Sequence, residues 1–168
     1  MRRLHVCPLS RVPQILEESR ARTLVSLLGH DARFETPASI APRRHLRIGM
    51  SDISAAREGH VTPQAEHVRR LVEFVDGSED AIVLHCYAGV SRSTAAAYVL
   101  ACAHAPAGRE AEIAAHLREL SPTATPNPLI VQLGDELLGR DGRMVHAIAV
   151  LGRGAECFEG VPFRIDLD

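Results

Sequence analysis

The chain has 168 residues, enough for one domain with its own core, and its 46% hydrophobic content argues against disorder. Aromatics make up only 4% and Trp is absent, so aliphatic residues and Ala have to fill the interior. A formal net charge of -2 gives no reason to expect a nucleic acid or an anionic membrane as partner.

The first eight residues carry two arginines but no apolar run of signal-peptide length. No stretch approaches the roughly 20 apolar residues that span a bilayer. The expectation is a cytoplasmic protein. Its four cysteines, Cys7, Cys86, Cys102 and Cys157, form no CxxC pair and are expected as free thiols. Residues 4–7 read as a short strand and residues 12–20 as a short helix. Residues 23–28, Thr-Leu-Val-Ser-Leu-Leu, read as a buried strand closed by Gly29, His30 and Asp31. Residues 44–50 form another candidate strand. Thr62 is expected as the N-cap of the next helix, with Pro63 at its first position. Ala65, Val68, Leu71, Val72 and Val75 then share a face, and Gly77 closes the end.

Residues 81–85, Ala-Ile-Val-Leu-His, are apolar without alternation, as a central parallel strand is. Residues 92–105 are almost wholly small and apolar, which predicts a buried helix. Residues 109–120 are amphipathic, and residues 128–138 are again helical. Residues 144–151 fit helix or strand equally. The predicted fold is a single α/β domain over residues 1–168. It has a central, mostly parallel sheet of about four or five strands and helices on both faces.

The chemistry concentrates in His85-Cys86-Tyr87-Ala88-Gly89-Val90-Ser91-Arg92-Ser93, where five residues separate Cys86 from Arg92. A buried strand enters this segment and a buried helix leaves it. It therefore lies at a strand's carboxyl end and a helix's N-terminus, where free N–H groups and the helix dipole favour an anion. A short loop there can aim the amides of Tyr87, Ala88, Gly89, Val90 and Ser91 inward as an oxyanion nest. Gly89 supplies a position for positive φ or a close backbone approach. Arg92 offers a planar fork matching two phosphate oxygens. The same groups favour Cys86 as thiolate. Ser93 is placed to hydrogen-bond the sulfur, and His85 to point away and brace the loop.

His-Cys-x-x-Gly-x-Ser-Arg-Ser resembles the signature loop of the protein tyrosine phosphatase superfamily, and the short chain resembles its dual-specificity-like members. The resemblance is specific over residues 85–93. It implies Cys86 as nucleophile through a phosphocysteine, Arg92 as phosphate ligand and transition-state stabiliser, and no metal or other cofactor. It also implies an Asp general acid on a loop some thirty-odd residues before the Cys. Asp52 lies 34 residues before Cys86, with Glu58 and His60 as competitors on the same loop. Asp31 and Asp80 are read as turn residues. Asn127 is read as a cap of the next helix or, alternatively, as a residue that helps hold the site, capping being the leading reading. The remaining histidines have no metal spacing and are read as surface residues. Cys102 is read as core, and Cys7 as a neighbour able to form a protective disulfide with Cys86.

The expected substrate is a phosphorylated protein or small phosphomonoester, phosphotyrosine by default and phosphoserine or phosphothreonine if the pocket is shallow. The loop interior has no lysine, so likeness to phosphoinositide phosphatases is poor. A phosphorylated RNA end would favour a more basic surface. Two alternatives remain open at this point. One is a rhodanese-like sulfurtransferase, which also places a Cys in an anion loop before a helix. The other is a non-catalytic phosphate-binding module. The oligomeric state is not readable from the sequence.

Overall fold

The computed structural model describes residues 2–78 and 81–167. One sheet holds β1 (Arg2–Pro8), β2 (Thr23–Leu28), β3 (His45–Gly49), β4 (Ile82–Cys86) and β5 (Phe163–Leu167) in the order β3-β2-β4-β1-β5. β4 pairs in parallel with β2 and β1, and β2 in parallel with β3. β5 runs antiparallel along the outer side of β1. The apolar run of β4 thus takes the central place expected of it, with all five residues buried.

Burial on both faces of β4 requires cover on both faces. On one side lies α1 (Val12–Ser19), whose Val12, Ile15 and Leu16 pack with Cys7, Leu24 and Val83. The other side carries α2 (Ala65–Asp76), α3 (Arg92–Ala103), α4 (Glu110–Leu120), α5 (Pro128–Leu137) and α6 (Arg143–Leu151). Their core joins Leu4, Val6, Val25, Leu27, Ile82 and Leu84 from the alternate positions of the same strands. Each such aliphatic side chain, fully buried, contributes roughly 1.5–3 kcal/mol. α3 is apolar on every side because it is enclosed on every side: it is buried from Arg92 to Cys102.

The predicted single α/β domain, its mostly parallel sheet and its two-sided cover are all observed. Several local expectations are corrected. α2 begins at Ala65, not at Pro63. Gln64 is its N-cap, in extended conformation, and the His67 ring accepts a hydrogen bond from the Gln64 N–H. Thr62 and Pro63 stay outside the helix because the Val61 carbonyl is held by the Ser51 N–H at 2.8 Å, which ties this run to the loop before it. Residues 144–151 are helical, within α6. Its first amides are capped from a distance by the Asp135 carboxylate, which accepts from the N–H groups of Gly142, Met144 and Val145. The last strand, β5, carried no prediction. Asp80 lies outside the described residues.

Candidate phosphate-binding site

β4 ends at Cys86 and α3 begins at Arg92, so residues 86–92 form a loop at the sheet's carboxyl edge. Its shape is set by what its carbonyls bind. The Cys86 carbonyl faces Nδ1 of His85 at 3.2 Å. The carbonyl of Tyr87 accepts from the N–H of Leu9 at 3.0 Å, and that of Ala88 from the N–H of Gly160 at 2.8 Å. The Val90 carbonyl accepts from the Thr125 N–H and the Thr94 hydroxyl, and the Ser91 carbonyl from the N–H groups of Ala95 and Asn127. All peptides of the described residues are trans. A planar trans peptide points its N–H opposite its C=O. With five carbonyls turned outward, the N–H groups of Tyr87, Ala88, Gly89, Ser91 and Arg92 turn inward, which is the geometry of an anion nest.

Cys86 Sγ lies within this ring. It accepts from the Gly89 N–H at 3.3 Å and is 3.1 Å from Ser93 Oγ. Gly89 has φ +71, and a Cβ there would lie 2.7 Å from the Pro8 nitrogen. Both the conformation and the close approach to β1 require glycine. Ser91, the N-cap of α3, makes no capping bond with its side chain, so the first amides of that helix stay open toward the loop. Arg92 is buried. Its Nη1 donates to the Met50 carbonyl at 2.9 Å, while among the described residues its buried Nε has no partner.

Asp52 sits on the exposed loop between β3 and α2, and its Oδ1 accepts from Ser91 Oγ at 2.7 Å and from Asn127 Nδ2 at 2.9 Å. The structure therefore brings Asp52 to the loop of Cys86 and Arg92, along with Ser93. Glu58 and His60 are exposed on the same loop, and His60 faces Ser51 instead. Asn127, read as a cap or as a support of the site, is both. Its Oδ1 caps α5 at the N–H groups of Leu129 and Ile130, and its Nδ2 holds Asp52.

His85 points away from the loop into the α1 side of the sheet. There it meets Ser26 Oγ at 2.6 Å and the Phe34 ring edge-on. Burial lowers the pKa of His85 to about 4, against the raising effect of the Cys86 carbonyl. His45 is corrected from surface residue to network member. It is half-buried, 2.8 Å from both Ser26 Oγ and Thr36 Oγ1, and burial lowers it to about 4 as well. Ser26 was the available signal, as a hydroxyl inside a wholly buried strand needs a partner. Cys7 is a free buried thiol in the core cluster of the α1 face, whereas Cys86 belongs to the cluster on the opposite face. The free thiols expected of the chain are observed, and the Cys7–Cys86 disulfide that proximity would have permitted is not formed: alternate side chains of a strand leave the sheet on opposite sides. Burial and the neighbouring Cys86 push Cys7 up to about 12. Cys102 is core, as expected.

Beside the loop runs a groove of about 630 Å³, bounded by Val90, Ser91, Arg153, Glu156 and Phe158. The segment that walls it is held by Gly160 on Ala88 and by the Ala155 N–H on the Pro122 carbonyl. Among the described residues no group of three or more His, Cys, Asp or Glu is placed to hold a metal. In the same residues no helix is long and apolar enough to cross a membrane.

No family model matches the sequence, and no curated protein matches it. Solved structures do resemble it. DUSP15 superposes with a TM-score of 0.64 at 18% identity, covering 88% of this chain and 89% of that one. The Yvh1 phosphatase domain from Chaetomium thermophilum gives 0.61 at 19%, covering 84% and 93%. The human tyrosine phosphatase-like serine/threonine/tyrosine-interacting protein gives 0.60 at 20%, covering 81% and 91%. At these identities the likeness is one of fold, and that fold is the one carried by dual-specificity-type phosphatases.

Proposed function

We propose that the chain is a cysteine-dependent phosphomonoester hydrolase of the protein-tyrosine or dual-specificity type. The observation that supports this most directly is the Gly89 N–H on Cys86 Sγ, in a loop whose carbonyls are bonded to neighbouring segments, beside a buried Arg92 whose Nε has no partner among the described residues. Five amides, a helix N-terminus and a guanidinium match the three oxygens of a bound phosphoryl group.

In the mechanism this arrangement supports, phosphate oxygens sit on the loop amides and on Arg92. The Cys86 thiolate attacks phosphorus in line with the ester oxygen. As the P–O bond breaks, Asp52 delivers a proton to the leaving oxygen. Both hydrogen bonds to Asp52 fall on Oδ1, which leaves Oδ2 to carry that proton. Water then attacks the phosphocysteine, Asp52 takes up its proton, and the P–S bond breaks to return the thiolate. Ser93 Oγ, 3.1 Å from Sγ, assists by hydrogen-bonding the departing sulfur. The groove beside the loop, with the exposed Phe158 in its wall, suits a protein segment around a phosphorylated side chain. We place the enzyme in the cytoplasm, since its four cysteines are unpaired.

The test is phosphate release from p-nitrophenyl phosphate and from a phosphopeptide panel. The wild type turns over, Cys86→Ser does not, and the serine variant still binds inorganic phosphate. Binding without release by the wild type would identify a phosphate-binding module. Transfer of sulfur from thiosulfate to cyanide would identify a sulfurtransferase.

A further inference from the structure

We infer that Ser26, His45, Thr36 and Arg47 form a one-way hydrogen-bond chain that ends, through His85, on the Cys86 carbonyl and positions Cys86 for reaction. This rests on the reading of Cys86 as nucleophile and adds residues from outside its loop.

The direction of the chain follows from its two ends. A backbone carbonyl only accepts, so His85 Nδ1, at 3.2 Å from the Cys86 oxygen, carries a hydrogen. A neutral imidazole has one N–H, so His85 Nε2 accepts, and Ser26 Oγ donates to it at 2.6 Å. Ser26 has one hydrogen, now used, so it accepts from His45 Nε2 at 2.8 Å. His45 Nδ1 then accepts from Thr36 Oγ1 at 2.8 Å. The far end is a guanidinium, which only donates: Arg47 Nη2 reaches Thr36 Oγ1 at 3.0 Å. Every group between the pure donor and the pure acceptor passes on one hydrogen bond, and no other assignment satisfies both ends with neutral rings. The burial that keeps His85 and His45 uncharged supports this tautomer pair. Phe34 packs edge-on against both rings and fixes their planes.

The consequence reaches the loop through one peptide group. Hydrogen bonds aligned head to tail polarise one another. The chain therefore draws electron density onto the Cys86 carbonyl, and the N–H on the other side of that peptide belongs to Tyr87, which faces the loop interior. A more polarised Tyr87 N–H stabilises negative charge there, first the thiolate and then the phosphate. Ser26, His45 and Thr36 act as positioning residues, since they touch neither sulfur nor substrate.

The experiment reads the thiolate directly. The 168-residue chain is alkylated with iodoacetamide at pH 6 and pH 9, and the Cys86 peptide is followed by mass spectrometry. Ser26→Ala should be alkylated about threefold or more slowly than wild type at pH 6, and the difference should shrink at pH 9, since the thiolate is the alkylated species. Thr36→Val, isosteric and on a partly exposed loop, should slow the pH 6 reaction about twofold, and Thr36→Ser should restore it. Wild-type rates at pH 6 in both Ser26→Ala and Thr36→Val, whatever their melting temperatures, would overturn the chain's role. If Ser26→Ala fails to fold, the Thr36 pair decides alone. Phosphate release by the wild type is measured in parallel. Unchanged alkylation in an active enzyme removes this inference only, whereas an inactive wild type removes the phosphatase reading.

Discussion

Asp52 is held by two donors that belong to different parts of the chain, Ser91 at the loop's end and Asn127 at the start of α5. A carboxylate held in this way is tied to the loop of Cys86 and Arg92 through Ser91. If it is the acid, Asp52→Asn should lower turnover of an alkyl phosphate, or an aryl phosphate of high leaving-group pKa, by roughly a hundredfold. Turnover of p-nitrophenyl phosphate, whose leaving group departs readily as an anion, should fall far less. Steady-state kinetics on the two substrates checks this, and equal losses would move the role to Glu58 or His60. The residues of the loop itself were legible in the sequence because each has a local job within nine positions. Asp52 was legible only by its distance along the chain from Cys86. Its tie to Asn127, which spans 75 residues, was not legible as a contact with Asp52 and entered only as the second reading of Asn127, because no local pattern records a contact between two loops.

At the scale of elements, the helices on the far face depend on one buried ion pair. Glu110 at the start of α4 lies 3.0 Å from Arg140, which follows α5, and Arg140 also donates to the carbonyls of Cys102 and Ala105 at the end of α3. Burial pushes the Glu110 pKa up. Hydrogen bonds from its own backbone amide, from Arg140 and from the Gly108 N–H outweigh that and hold it below the usual carboxylate range. Arg140→Met should therefore cost about 3 kcal/mol, because it leaves the buried carboxylate with only the partly exposed Arg143, 3.5 Å away, as a cation and deprives two helix-end carbonyls of their donor. Adding Glu110→Gln should return part of the loss, as read from urea midpoints of the single and double variants. Neither residue stands out in the sequence, where a Glu at a helix start and an Arg after a helix both read as solvated charges. β5 escaped notice for a related reason. Phe-Arg-Ile-Asp-Leu alternates like any short edge strand, and its place is decided by the open side of β1 rather than by its own composition. The helix start at Ala65 was misplaced because a tertiary bond between Val61 and Ser51 outweighed the local preference of Thr62-Pro63. β4 and α3 were placed within a residue or two because burial on all sides leaves an unbroken apolar run, which is a strong local signal.

For the molecule as a whole, the buried His85 and the half-buried His45 set an acid limit. Burial brings His85 and His45 each to about 4 in the fold, from 6.5 in an ordinary setting. Between those values the unfolded chain binds protons that the folded chain refuses, so stability is full above about pH 6.5 and is lost as pH falls toward 4. For His85 the loss approaches about 3 kcal/mol. His45, half open to solvent, adds a fraction of that. Melting temperature followed from pH 7 to pH 4.5 should fall, and His85→Gln should flatten the profile. The pairing of the outer strands has a separate, mechanical consequence. Arg2 lies opposite Leu167 in the β1–β5 pair, and Val6 lies opposite Phe163. A force applied at residues 2 and 167 therefore loads the hydrogen bonds one after another, as in unzipping, instead of all together in shear. β5 should peel first at low force. The rupture then runs toward Gly160, whose amide holds the Ala88 carbonyl turned out of the phosphate loop. In an optical trap, a chain pulled by these two residues should lose its hold on inorganic phosphate at the first small extension, while the core around β4 and α3 still resists.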